Sequence, residues 1–208
     1  MSNSIRIEAR VFPNLTGLKG MPALLVDEMK LRYLTAVSKT NEIFELLERV
    51  DYRNAHPVFS EIRSLLTALP QTLGTVKSYE MFFAQIGGSA GRPSAAVAEH
   101  IRRDFGSHEA FIEQLTATAL SSRCWAAVVF DLDLRRLMCV MGDSPEQLTV
   151  WNTSPVIVLE VSGKGSAPSH EPNRTVHIQT LISLLDWRVV ERNIEDALGL
   201  QSAGGKPY

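Results

Sequence analysis

Apolar residues recur at helical spacing along two long stretches in the first half of the chain. The first stretch covers about 22–50, and the second covers about 58–86 with interruptions at Pro70 and Gly74. Two consecutive runs of this length predict a hairpin of long helices. The sequence at 87–93, Gly-Gly-Ser-Ala-Gly-Arg-Pro, is typical of a loop, and we place a domain boundary there.

Two shorter helices are predicted next, at 94–103 and from about 107 to 120. Ser94 and Ser107 are suitable N-caps, because a serine hydroxyl can accept a hydrogen bond from the first turn of a helix. The sequence Asp-Phe-Gly-Ser at 104–107 ends the first helix and begins the second, and its glycine can adopt a positive φ.

The remaining pattern favours strands and then a helix. Alternating or continuous apolar runs at 125–130 and 137–141 flank a turn at 131–134, which predicts a β-hairpin. The run at 155–161 is β-branched and nearly all apolar, so it is predicted to be a central strand. A single helix is predicted from 175 to about 198.

This order of elements predicts an α+β protein with two domains. The N-terminal domain, residues 1–88, is the long helical hairpin. The C-terminal domain, residues 89–208, combines helices with a three-stranded antiparallel sheet.

Composition excludes several classes of protein. Hydrophobic residues make up 45% and charged residues 21%, which is typical of a globular protein. The formal net charge is −2, so a nucleic-acid partner is not expected, since nucleic-acid binders need surplus cations. The two cysteines and the absence of an apolar signal segment indicate a cytoplasmic protein, and no stretch is long enough to span a membrane.

Several motifs resemble those of the iron/manganese superoxide dismutases. They are Ala98–Phe111, with the sequence Asp-Phe-Gly-Ser at its centre, Met81-Phe-Phe, Cys124-Trp-Ala, Ser154–Val161, Ser183–Trp187 and, more weakly, Thr35–Asn41. The resemblance implies a helical hairpin followed by a domain of helices and three strands. It also implies a single redox metal held by three imidazoles and one carboxylate.

The positions that correspond to those metal ligands carry other residues here. They are Glu28, Glu80, Glu160 and Lys164. Carboxylates favour hard, redox-inert cations, and a protonated lysine has no lone pair to donate. Pairing of Lys164 with the glutamates, proton uptake by one glutamate, and simple solvation of all four groups are the allowed outcomes.

The gateway tyrosine of the family corresponds to Ala36, and its histidine partner corresponds to Arg32. We therefore expect a protein that has lost the redox-metal site, binds no cofactor and has a structural or interaction role. The resemblance also suggests a homodimer or other oligomer, although the residues that bridge subunits in the family are Gly163 and Lys164 here. Any other protein partner is unknown.

Four alternatives remain open at this stage. A hard divalent cation could bind at Glu28, Glu80 and Glu160. The chain could be a true dismutase with relocated ligands such as His170 and His177. It could also associate with ribosomes, as family relatives without ligands do, or bind a small cationic ligand in a carboxylate-lined pocket between the two domains.

Overall fold

The computed structural model describes residues 5–88, 91–162 and 171–203, and in this part of the chain it has an α+β architecture. Two long helices come first and pack against each other, followed by two shorter helices, a three-stranded antiparallel sheet and two final helices. The elements are α1 (Ala23–Leu47), α2 (Glu61–Gln85), α3 (Ala95–Phe105), α4 (His108–Ser121), β1 (Trp125–Asp131), β2 (Arg136–Gly142), β3 (Thr153–Glu160), α5 (Glu171–Ser183) and α6 (Trp187–Ala203). The predicted fold class is confirmed, and the domain boundary after residue 88 stays a prediction.

The predicted interruption of the second helix is wrong, because α2 runs through Pro70 without a break. A proline inside a helix removes one backbone hydrogen bond and costs about 3 kcal/mol. Packing on both sides offsets this cost, since Leu65 and Val76 are buried in the contact with neighbouring elements. Gly74 lies close to Pro145 instead of ending the helix, and a Cβ on Gly74 would lie 3.3 Å from the Cβ of Pro145.

The predicted last helix is two helices, α5 and α6, with a break before Trp187. Asp186 makes this break stable from both sides. Its backbone N–H donates to the carbonyl of Gln85, 2.7 Å away, and its carboxylate accepts a hydrogen bond from the N–H of Arg188 at 3.0 Å. The break therefore fixes the start of α6 to the end of α2.

The strand order is β2-β1-β3, so β3 is an edge strand and the prediction of a central strand there is wrong. Its apolar sequence has another cause, since α2 and α6 both pack against it. Pro155 begins an irregularity that leaves Val156 without a partner on β1. The carbonyl of Val156 accepts hydrogen bonds from the side-chain amides of Gln85 and Asn193, both at 2.9 Å, so these side chains cover the free edge.

The corner between α3 and α4 forms as predicted. The hydroxyls of Ser94 and Ser107 accept hydrogen bonds from the N–H groups of Val97 and Ala110, at 3.3 and 3.1 Å. Gly106 has a φ of 90°, which favours glycine. Within the described residues, no helix is both long and apolar enough to cross a membrane.

Candidate functional site

Glu160 ends β3 on the sheet face that is covered by the helical hairpin. It lies opposite Trp125 of β1, whose ring makes an edge contact with Tyr79 of α2. The side chain of Glu160 is only 3% exposed. Its Oε1 accepts a hydrogen bond from the hydroxyl of Ser162, just beyond the strand. This places a carboxylate at the position where the resemblance put a metal ligand.

Arg32 of α1 lies between this carboxylate and a second one. Its guanidinium is 3.7 Å from Oε2 of Glu28, one helical turn earlier, and 4.0 Å from Oε1 of Glu160. Arg32 and Glu28 are each about a third exposed, so the group opens to solvent on the side of α1. We call Glu28, Arg32, Tyr79 and Glu160 the arginine cluster. Two of the predicted ligand positions and one predicted gateway position therefore meet in it.

Tyr79 joins the cluster from α2. Burial raises the pKa of its phenol far above the usual value, and the negative charge of Glu160 raises it further. The hydrogen bond from Arg32 to the phenol oxygen has the opposite effect and only partly offsets them. Tyr79 therefore stays protonated and supplies a neutral hydroxyl beside the two charges.

Glu80 lies in a different set of contacts. Its carboxylate accepts a hydrogen bond from the phenol of Tyr33 at 3.0 Å and lies 3.3 Å from Nε of Arg10. The N–H of Arg10 in turn donates to the same phenol oxygen at 2.8 Å. Glu80 therefore ties the chain before α1 to the helical hairpin.

The predicted cation site at Glu28, Glu80 and Glu160 is consequently not assembled in the structure. Across residues 5–88, 91–162 and 171–203, no three histidine, cysteine, aspartate or glutamate side chains are grouped so that they could hold a metal ion. The physical reason is that a guanidinium stands between two of the carboxylates, while the third has its own arginine. Lys164 and His170 lie outside the described residues.

The structure also describes two other positions named by the sequence analysis, Ala36 and His177. Ala36 is buried in α1 and offers only a methyl group to the core. His177 of α5 has a buried Nε2, and burial followed by the nearby charge of Arg174 lowers the pKa of its imidazole. A single neutral imidazole does not make a redox-metal site of the kind that the resemblance implies.

Sequence reasoning missed Tyr79 and Arg10. For Tyr79 a signal was present, because its spacing from the apolar residues Val76 and Phe83 puts it on the buried face of α2. The matched position, Glu80, lies one residue further round the helix. Nothing in the local pattern indicated that Arg10, far along the chain, would reach Glu80.

Comparison with known proteins agrees with this architecture. Residues 93–193 match the family of iron/manganese superoxide dismutases, C-terminal domain. A superoxide dismutase [Fe] of Aquifex aeolicus is 27% identical over 189 residues, which is 89% of this chain and 88% of the relative. Two haloarchaeal relatives named superoxide dismutase [Mn] 2, from Halobacterium salinarum and Haloferax volcanii, are 27% and 28% identical over 53% and 59% of this chain.

These matches support a relationship between this chain and the iron/manganese superoxide dismutase family. The six helices, the hairpin and the three-stranded antiparallel sheet of the described residues are consistent with the α+β fold of that family. The match to the two haloarchaeal relatives spans only 55% and 62% of their length.

Proposed function

We propose that this protein has the superoxide dismutase fold without the redox-metal site. Its role is to support a structure or to bind a partner, and it is not catalytic. The observation that supports the proposal is the arginine cluster. At the positions that correspond to metal ligands and gateway residues, a guanidinium lies within 4.0 Å of two carboxylates. An arginine side chain has only hydrogen-bond donors, so it competes with a cation for the same carboxylates and cannot itself bind one.

The chemistry of dismutation explains why this substitution matters. The metal must change between two oxidation states, and neutral imidazoles tune that couple. The corresponding positions offer Glu28, Glu80 and Glu160 instead, and carboxylates favour hard cations that do not change oxidation state. The residues present do not fit an iron or manganese centre of the family type.

Metal analysis and activity together test this proposal. The purified protein is refolded or incubated with Fe²⁺ and with Mn²⁺, desalted, and measured by elemental analysis and in a superoxide assay. The iron dismutase of Aquifex aeolicus, treated in the same way, is the positive control. We expect less than about a tenth of an equivalent of bound metal, and no activity above that of the desalted buffer.

Stoichiometric metal together with activity would contradict the proposal. In that case a His177→Ala variant distinguishes the alternative of relocated ligands, since that alternative predicts loss of both metal and activity. If metal binds without activity, the Glu160→Gln variant tests whether Glu160 is one of its ligands. Loss of the metal in that variant would support a hard-cation site and contradict the cofactor-free proposal.

We also propose that the protein is cytoplasmic and that it binds a protein partner, for example a second copy of the same chain. Burial raises the pKa of Cys139 to about 11, which keeps it as the unreactive thiol. Light scattering during gel filtration measures the mass in solution. A mass of two chains supports the homodimer, and 23.0 kDa at all concentrations contradicts it.

A further inference from the structure

A cavity of about 190 Å³ lies on the same face of the sheet as Glu160, further along the strands. Its floor is formed by Ala127 and Val129 of β1 together with Val158 of β3. Gly74, Ser78 and Met81 of α2 form one wall, and the segment from Pro145 to Val150 forms the other. The arginine cluster takes no part in its lining.

The shape of the cavity follows from small residues at the places where helix and sheet meet. Ala127 and Val158 are partners across β1 and β3, and both are short side chains that leave room above the sheet. Gly74 lets the 3₁₀ turn Pro145–Leu148 approach α2, as its missing side chain would lie 3.3 Å from Pro145. The turn therefore closes one side of the space without filling it.

The lining is mostly apolar, and its polar side chains belong to Lys77, Ser78, Thr149 and Thr153. Ser78 is only 9% exposed, whereas Lys77, which also lines the cavity, is an exposed residue. Within the described ranges, neither of these two side chains has a hydrogen bond or ion pair to the rest of the protein. An apolar chamber with a hydroxyl and an unpaired cation is suited to a small molecule with one apolar and one anionic end.

We propose that this cavity binds a small carboxylic acid with a single aromatic ring. The ring would occupy the apolar chamber, and the carboxylate would face Lys77 at the opening. The volume supports this size, because an apolar cavity of about 150 Å³ in another protein holds benzene. The proposal goes beyond the lost metal site and does not depend on it.

Methyl NMR spectra of the wild-type protein test the proposal directly. Phenylacetate is titrated into the protein, with 2-phenylethanol and phenethylamine as matched neutral and cationic probes. We expect phenylacetate to shift the methyl signals of Val129, Leu148 and Val158 in a saturable way, and the amine to leave them unchanged. Shifts confined to other methyl groups, or equal shifts with all three probes, would overturn the proposal.

Variants then separate the charge from the chamber. Lys77→Gln should weaken binding of phenylacetate about fivefold, as expected for an exposed charge pair, and should leave 2-phenylethanol binding unchanged. Lys39→Gln removes the same charge from an exposed lysine of α1 that pairs with Glu42, and should have no effect. An equal loss in both variants would contradict the role of Lys77.

Filling the chamber tests the position of the ring. Ser78→Leu on α2 and Ala127→Leu on β1 each place a larger side chain in the cavity and should abolish the shifts caused by phenylacetate. Ala127 is on the central strand and its variant is prone to unfolding, so Ser78→Leu carries the test if Ala127→Leu does not fold. Unchanged binding in a folded variant would overturn the proposal.

Discussion

Two regions that carry the family resemblance differ in what their residues do. At the corner between α3 and α4, three residues of the motif that carries the resemblance have structural roles that suit their chemistry. Asp104 accepts a hydrogen bond from the N–H of Leu137 at 2.8 Å, Gly106 takes a φ of 90°, and Ser107 caps α4. In the arginine cluster, at positions that the resemblance matches to metal ligands and a gateway residue, the charged side chains of Glu28, Arg32 and Glu160 lie close to one another.

The comparison separates residues that stabilise the fold from residues that a redox-metal site would require. Asp104 connects α3 to the sheet, and this contact does not depend on a bound metal. The arginine cluster lies between α1 and the end of β3, where the fold needs only that buried charge be compensated. Any arrangement that compensates it is compatible with the same architecture.

The largest effect is expected from Asp104→Ala. The side chain of Asp104 is only 5% exposed and also pairs with Arg103 at 2.7 Å. Its loss leaves the N–H of Leu137 without an acceptor and should lower the free energy of unfolding by about 3 kcal/mol. Urea denaturation measures this change.

Asp143→Ala is the matched control for that variant. Asp143 also accepts a backbone hydrogen bond, from Arg123, and also lies near an arginine, but its side chain is 47% exposed. We expect a loss of less than about 1 kcal/mol. If both variants lose the same amount, the corner has no special structural role.

A smaller effect, about 2 kcal/mol, is expected from Arg32→Met, because it removes a positive charge near the buried carboxylate of Glu160. The double variant Arg32→Met, Glu160→Gln should recover part of this loss, since it removes the buried charge as well. Chemical denaturation of the two single variants and the double variant gives the coupling between them.

Strict additivity in that cycle would show that Arg32 does not stabilise Glu160. The proposal of a lost metal site would then lose its main support from the arginine cluster. A stability of the double variant close to that of the wild type would instead indicate that the two charges serve mainly each other.

Most of the fold could be predicted from sequence, because local patterns determine most of its elements. The caps at Ser94 and Ser107 depend only on neighbours within one turn, and both predictions are confirmed. The elements that were predicted wrongly depend on contacts between residues that are far apart in the sequence. Asp186 divides the last helical stretch because its N–H bonds to Gln85, and β3 tolerates an edge position because Gln85 and Asn193 cover it.

The candidate site was predictable only in part, for the same reason. Motif spacing indicated Glu28, Arg32 and Glu160, and the structure brings these three together. It could not indicate that Glu80 would turn to Arg10 and Tyr33, because that depends on where the chain before α1 lies. A one-residue step on α2 decides between Tyr79 and Glu80, and spacing alone is too coarse to resolve it.

Gly106→Ala should lower the free energy of unfolding by roughly 1 to 2 kcal/mol, because an alanine is strained at a φ of 90°. No neighbouring atom lies within 4 Å of the added Cβ, so the cost comes from the backbone alone. Gly199→Ala is the control, since Gly199 lies within α6 with open space around it and should gain about 0.5 kcal/mol. A neutral Gly106→Ala variant would contradict the conformational role of the corner.

The smallest effect concerns the pH dependence of stability at the corner. Burial by itself raises the pKa of Asp104, but the hydrogen bonds from Arg103 and from the N–H of Leu137 outweigh it and hold the pKa below its usual value. A carboxyl group with a lower pKa in the folded state stabilises the fold above its unfolded pKa of about 3.9, and this contribution is lost as the pH falls through the folded pKa. Asp104→Asn, which cannot titrate, should therefore lose stability less steeply than the wild type below about pH 4. Thermal unfolding from pH 7 to pH 2 measures both slopes, and parallel acid limbs would show that the carboxylate at the corner has no favourable partner in the folded state.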